Sequence, residues 1–168
     1  ILLKKINSKY INQTTIKTNN LKETFTAFEQ YQDEPYSVAW IDCQAREEKL
    51  GRCLLMTGDF CDDGQLNYQA KLKVNIPINF PMFTLNSLTI KLFNWLYYRK
   101  AKNGVSRQKV DIDTFFYPLD SVGNWNRIYG KKGFVQYQFI LPKEKSLAGL
   151  DKILKKISAS GKGSFLAV

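Results

Sequence analysis

Residues 115–142 read FFYPLDSVGNWNRIYGKKGFVQYQFILP, and the patterning of this stretch decides the expected fold class. An aromatic lead-in passes into a polar loop carrying Trp125, Asn126 and Arg127, and then into a turn at Gly130 and Gly133. Beyond the turn the residues alternate. Val135, Tyr137, Phe139 and Leu141 fall on one side of an extended chain, and Phe134, Gln136, Gln138 and Ile140 on the other, because successive strand side chains point to opposite faces. The spacing predicts a strand over 134–141 with a core face and a second face that sets two amides among apolar neighbours. Amides in such surroundings cost roughly 1–3 kcal/mol each unless they find partners, and a ligand can supply them.

Upstream, residues 2–16 are β-rich and predict a long first strand. Asn20 precedes Glu23 by three residues, and Leu21, Phe25 and Phe28 fall at helical spacing, which predicts a helix over 21–31. Two strands over 36–43 and 52–59 follow. In the first, Tyr36, Val38, Trp40 and Asp42 share a face, while the smaller set Ser37, Ala39, Ile41 and Cys43 suits a covering helix. Residues 61–81 are polar and irregular, with a turn at Asp62, Asp63 and Gly64 and two prolines that exclude a helix.

A second helix is predicted over 87–100, with Leu88, Leu92, Trp95 and Leu96 facing the core and Ile90, Phe93 and Tyr97 widening the stripe, so that much of its circumference is buried. A strand over 107–114 follows, with Val110 and Ile112 alternating against charged residues. Last come a third helix over 145–159, with Leu147, Leu150, Leu154 and Ile157 as its stripe and Gly161 closing it, and a strand over 164–168. The order β-α-β-β-α-β-β-α-β predicts an α+β domain: an antiparallel sheet with helices packed on one face and the other face left for a partner.

The 168 residues fit one domain, and 44% hydrophobic residues with 14% aromatics are ample for a core. The net charge of +10 is carried mostly by lysine, which gives diffuse attraction to anions rather than the bidentate recognition arginine provides. Histidine is absent, which excludes His-dependent triads, His-based zinc sites and a histidyl flavin link within these residues. Cys43, Cys53 and Cys61 lack CxxC spacing and are odd in number, so they read as small core hydrophobes in a reducing, cytoplasmic setting. Asp59, Asp62 and Asp63 lack the alternating oxygen ligands of a calcium loop, and no metal is expected. No run approaches the roughly 18 apolar residues of a membrane span.

The segments FFYPLD, WNRIYG, GFVQYQFILP and SASGKGSFLAV, together with YSVAWID at 36–42 and LGRC at 50–53, resemble the substrate (cap) domain of the decaprenylphosphoryl-ribose-oxidase-like FAD-linked oxidoreductases, in the vanillyl-alcohol oxidase superfamily. The resemblance covers most of the chain, in order. It implies that residues 1–168 are one substrate-binding domain, a fragment of a longer polypeptide whose FAD-binding domain lies outside this chain. It further implies that the open sheet face lies over the flavin, with Gln136 and Gln138 facing flavin and substrate and Trp40, Phe116 and Tyr117 walling the pocket. Asp120, Asn126 and Arg127 would lie in a lid loop. No catalytic residue is expected within the chain, and the chain alone is expected to be inactive.

The implied activity of the parent is oxidation of an alcohol carbon on a sugar-type substrate, a polyprenyl-phosphate-linked pentose of bacterial cell-envelope metabolism among them. Such a substrate would bring the protein near a membrane surface. The alternative is a basic α+β domain that binds nucleic acid or serves as a structural interaction module. Lys132, Gly133 and Phe134 open like an RNA-binding RNP1 signature, but Val135 stands where a small residue belongs and Gln136 replaces a stacking aromatic, so no nucleic acid is expected.

Overall fold

In the computed structural model, which describes residues 2–69 and 74–168, the first two predicted helices start at side-chain caps. Asn20 caps α1 (Leu21–Gln30): its Oδ1 accepts from the Glu23 backbone at 2.9 Å, and its amide donates to Glu23 Oε1 at 3.1 Å. Asn86 caps α2 (Ser87–Lys100) by accepting from the Leu88 and Thr89 amides, while Thr89 Oγ1 accepts from the Asn86 N–H in return. Each such cap satisfies donors that a helix start leaves unpaired. The last helix, here α4 (Lys143–Ser160), stops at Gly161, whose φ of 67° is left-handed.

The strands β1 (Tyr10–Thr18), β2 (Tyr36–Ile41), β3 (Cys53–Phe60) and β5 (Val105–Asp111) form one antiparallel sheet in the order β2-β3-β1-β5. A two-residue parallel pair, β4 (Val74–Asn75) with β6 (Val122–Gly123), stands apart from it. The α+β class with an antiparallel sheet is therefore the observed one.

Register decides what each face carries. Leu55 lies opposite Ile16 and Ala39, and with Cys53 and Ala27 these form the core beneath α1. Leu21, Cys43, Leu50 and Leu154 join α1 to α4, with Leu150 and Ile157 packed alongside. The set Ala39, Ile41 and Cys43 is thus the helix-covered one. The opposite face carries Tyr36, Val38 and Trp40 of β2, Leu54, Met56 and Phe60 of β3, and Gln13 and Thr15 of β1. It is open over its middle, and α2 and the short α3 (Ile112–Phe116) each cover one end. Gly58 admits α3: a Cβ there would lie 2.7 Å from Ile11 Cγ2 and 3.2 Å from the Phe115 ring.

Several expectations are corrected. Residues 134–141 form no strand, and Val135 and Tyr137 are 96% and 86% exposed. The edges of the sheet belong to β2 and β5, and this segment pairs with neither, so its alternation has no ladder to join. The first strand begins at Tyr10 rather than at residue 2. The strand predicted over 107–114 instead ends at Asp111, whose side chain accepts from the Thr114 amide and starts α3. Residues 164–168 are not a strand, although Ala167 O accepts from the Ile41 amide at 2.9 Å. The core-facing stripe expected on α2 is also overturned: Leu88, Leu92, Trp95 and Leu96 are exposed, and the helix meets the sheet through Asn94, Tyr97 and Tyr98. Part of the irregular stretch predicted over 61–81, namely 70–73, lies outside the described residues.

Candidate functional site

The distant motifs meet in a run of aromatic rings. Trp40 of β2 lies against Tyr97 of α2, with centroids 4.8 Å apart, and Tyr97 stacks on Phe93 at 5.8 Å. Phe93 meets Phe165 at 5.3 Å, Phe165 stacks on Tyr129 at 5.6 Å, and Tyr129 meets Phe134 at 4.5 Å. Trp125 closes the group, 5.3 Å from Phe134. Such edge and offset contacts contribute about 0.5–1.5 kcal/mol each beyond the area they bury. YSVAWID, WNRIYG and SFLAV, separated by as much as 128 residues between Trp40 and Val168, are thereby one structural unit. Trp40 is anchored at both ends of its ring system, because its Nε1 donates to Phe165 O at 2.8 Å.

A second aromatic group stands at the far end of the same sheet face. Phe116 meets Tyr36 at 5.0 Å and Phe60 at 6.1 Å, and Tyr117 lies 6.3 Å from Phe116. Tyr36 and Trp40 are four strand residues apart, or roughly 13 Å. Between them lies a half-buried floor of Val38, Met56 and Thr15, with Gln13 buried beside it and donating to Thr15 Oγ1 at 2.8 Å. Trp40, Phe116 and Tyr117 are therefore on one side of the sheet, with Trp40 enclosed and Phe116 and Tyr117 exposed.

The remaining predicted site residues lie elsewhere. Gln136 and Gln138 sit on the exposed segment that leaves the ring run at Phe134 and bond to no described residue. Asp120 is exposed in a 3₁₀ turn (Pro118–Ser121), and Asn126 is exposed in a second (Trp125–Lys132). Arg127 is engaged: Nη1 donates to Ile76 O at 2.9 Å and Pro77 O at 2.7 Å, while Phe80 N donates to Arg127 O at 2.9 Å. Gly130, with φ of 66°, allows that approach, since a Cβ there would lie 2.7 Å from Phe80 O. The loop is thus stitched to residues 75–80, and Asn124 adds a bond to Asn75 at 2.7 Å.

Sequence reasoning passed over the polar counterpart of the ring run. Asp42 is 2% exposed, and its Oδ2 accepts from Arg52 Nε at 2.9 Å and Nη2 at 2.6 Å. Its Oδ1 accepts from the fully buried Asn94 amide at 2.9 Å and from Gln44 N at 3.1 Å. The Arg52 guanidinium lies 4.4 Å from the Tyr98 ring centroid. Asp42 and Trp40 share a strand face, which the alternation of β2 signals, but Asn94 lies on a helix face that reads as solvent-facing. Burial pushes the Cys43 thiol up, offset in part by its bonds around Ser164, and pushes the Cys53 thiol up to about 12. Both are inert thiols rather than nucleophiles. Among the described residues no group of His, Cys, Asp and Glu is arranged to hold a metal, and no helix is long and apolar enough to cross a membrane.

The likeness read from the motifs holds when the chain is set against curated proteins, and it is a likeness to an oxidase. That oxidase is decaprenylphosphoryl-beta-D-ribose oxidase of Mycolicibacterium smegmatis, to which the chain is 36% identical over 143 residues, covering 79% of the chain. The chain spans 30% of the length of that relative. No protein-family model matches it.

Proposed function

We propose that this chain is the substrate-binding part of a FAD-dependent oxidoreductase that oxidises an alcohol carbon of a sugar-type substrate, a polyprenyl-phosphate-linked pentose. The observation that carries this reading is the 36% identity to the mycobacterial oxidase, and the convergence of distant motifs of this chain on one run of rings supports it. The residues present fit one wall of a flavin site. Val38 and Met56 form a half-buried floor bounded by rings at both ends, the kind of surroundings against which a planar ring stacks. Bound flavin supplies the hydride chemistry. The chain supplies placement through aromatic walls from Phe116 and Tyr117 and a floor that excludes water, while Gln136 and Gln138, which stand apart from that floor in the chain alone, offer their amides to sugar hydroxyls where the FAD-binding part closes over residues 134–141.

In this reading the FAD-binding part of the same polypeptide covers the exposed leucines of α2 and the apolar side chains of residues 134–141. Contiguous apolar surface of this kind marks an interaction site. The test is made on the full-length protein. It should hold FAD, and its flavin should be reduced by a polyprenylphosphoryl ribose; Gln138→Ala should slow that reduction by at least about tenfold through lost hydrogen bonds. A full-length protein without flavin would overturn the reading, and an unchanged rate in the variant would remove Gln138 from the site.

A further inference from the structure

We propose that the cleft between the end of β2, the 3₁₀ turn Glu47–Lys49 and α2 binds a phosphate-bearing ligand. This site does not rest on the oxidase reading. The cleft has a volume of about 220 Å³. Arg46, Lys49, Arg52 and Lys91 line it, against the single carboxylate of Asp42. That carboxylate is already committed, since both of its oxygens accept hydrogen bonds from Arg52, Asn94 and Gln44. Among the described residues neither Lys49 nor Lys91 forms an ion pair. The lining therefore presents a surplus of positive charge that nothing in the cleft neutralises.

Arg52 is preorganised for an anion. Asp42 holds Nε and Nη2, and the Tyr98 ring holds the guanidinium plane, so the free Nη1 is fixed in direction without further loss of side-chain freedom. Arg46 is likewise tethered, because its Nη2 donates to Ser158 O on α4. Lysines on the turn and on α2 then face these two arginines as mobile point charges. Gln44, also on the cleft wall, is 5% exposed and its amide turns away from the cleft to donate to Gly161 O at 3.3 Å, so the cations dominate the polar lining. Trp95 adds an apolar wall, with Arg99 over its ring at 5.0 Å. Cations for the phosphate and a ring for a carbon skeleton describe a phosphate ester, free or as a lipid headgroup.

The probes are glycerol phosphate in solution and phosphatidylcholine vesicles with and without phosphatidylglycerol, both at fixed ionic strength, measured on the chain itself and on Lys49→Ala/Lys91→Ala. Both lysines are exposed, so the double variant should melt as the parent does. Saturable binding of glycerol phosphate, weakened about tenfold or more in the double variant, is the expected result and makes the source a soluble phosphate. Binding confined to phosphatidylglycerol vesicles, with the same weakening, also supports the site and assigns it to a headgroup. Binding of either probe that the double variant retains would overturn the proposal as diffuse attraction to a basic surface, and so would binding of neither.

Discussion

β3 and residues 134–141 are both rich in apolar and aromatic side chains, and they end in opposite surroundings. In β3, Cys53 and Leu55 are completely buried, and cross-strand partners on β1 and β2 hold every backbone position from Cys53 to Gly58. In residues 134–141, Val135 and Ile140 are exposed to solvent, and among the described residues no strand pairs with them. The side-chain pattern is a necessary condition for a strand. A neighbour that takes up the N–H and C=O groups is the sufficient one, and no local pattern names that neighbour. The exposed segment therefore contributes apolar surface without contributing core.

The largest effect is expected where the paired region buries charge. Asp42→Ala would leave Arg52 and Asn94 without their acceptor in a site that solvent barely reaches, at a cost of about 3–5 kcal/mol in denaturant unfolding. Replacing Arg52 as well, by Met, should recover much of that loss, because a buried pair exchanged for apolar groups is often neutral. If Asp42→Ala costs less than about 1 kcal/mol, the network at the end of β2 is not a structural anchor and the contrast with residues 134–141 weakens.

The next comparison is direct. Leu55→Ala should cost about 2–5 kcal/mol, since the site lies between Ile16, Ala39 and α1. Tyr137→Ala should stay within about 0.5 kcal/mol, in contrast to the core loss that its place on an alternating strand would imply. Labelling of Cys53 provides an independent readout: its thiol is buried and pushed up to about 12, so reagent should reach it only on unfolding, faster in Leu55→Ala and unchanged in Tyr137→Ala. Equal destabilisation by the two substitutions would mean that 134–141 is held as firmly as the sheet.

These contrasts show which parts of the fold the sequence could reveal. The cap at Asn20, the apolar spacing over 87–100 and the stop at Gly161 are local features, so α1, α2 and α4 were legible to within a residue or two. The two faces of β2 were legible for the same reason, and with them the burial of Ala39. The orientation of α2 was not: Leu88, Leu92 and Leu96 form the more apolar stripe, but Asn94 and Tyr98 find partners in Asp42 and the Thr18 carbonyl, and those lie on other elements. The run of rings was legible only as separate aromatic motifs. Phe165 and Tyr129 are 36 positions apart, and nothing local to either announces that they stack. Phe116 was placed in the site through a resemblance, and the structure sets it against Tyr36, which opens the YSVAWID motif, and against Phe60, which no motif includes.

The smallest expected effect separates exposed segments that are tied down from exposed segments that are not. Residues 62–65 are as open to solvent as 134–141, yet polar bonds fix them: Asn7 donates to Asp62 at 2.9 Å, Lys9 N to Gln65 O at 2.8 Å, and Lys109 of β5 pairs with Asp63. Hydrogen bonds from Lys109, Ser8 and the Gln65 amide pull Asp63 down to about 2, the Lys109 contact being the largest cause. A lowered carboxylate stabilises the fold above its unfolded value near 3.8, and that contribution is lost as the pH falls through about 2. Lys109 is raised by the same contact, so its share is present below 10.5 and disappears as the pH rises through its folded value. The pair is exposed, and salt should screen it. Carbon-detected NMR titration of the Asp63 carboxyl should give a midpoint near 2, moving toward 3.8 in Lys109→Ala and in high salt, with little change in melting temperature at neutral pH. A midpoint near 3.8 in the unmodified chain would show that this segment is as loosely held as 134–141, and exposure alone would then describe both.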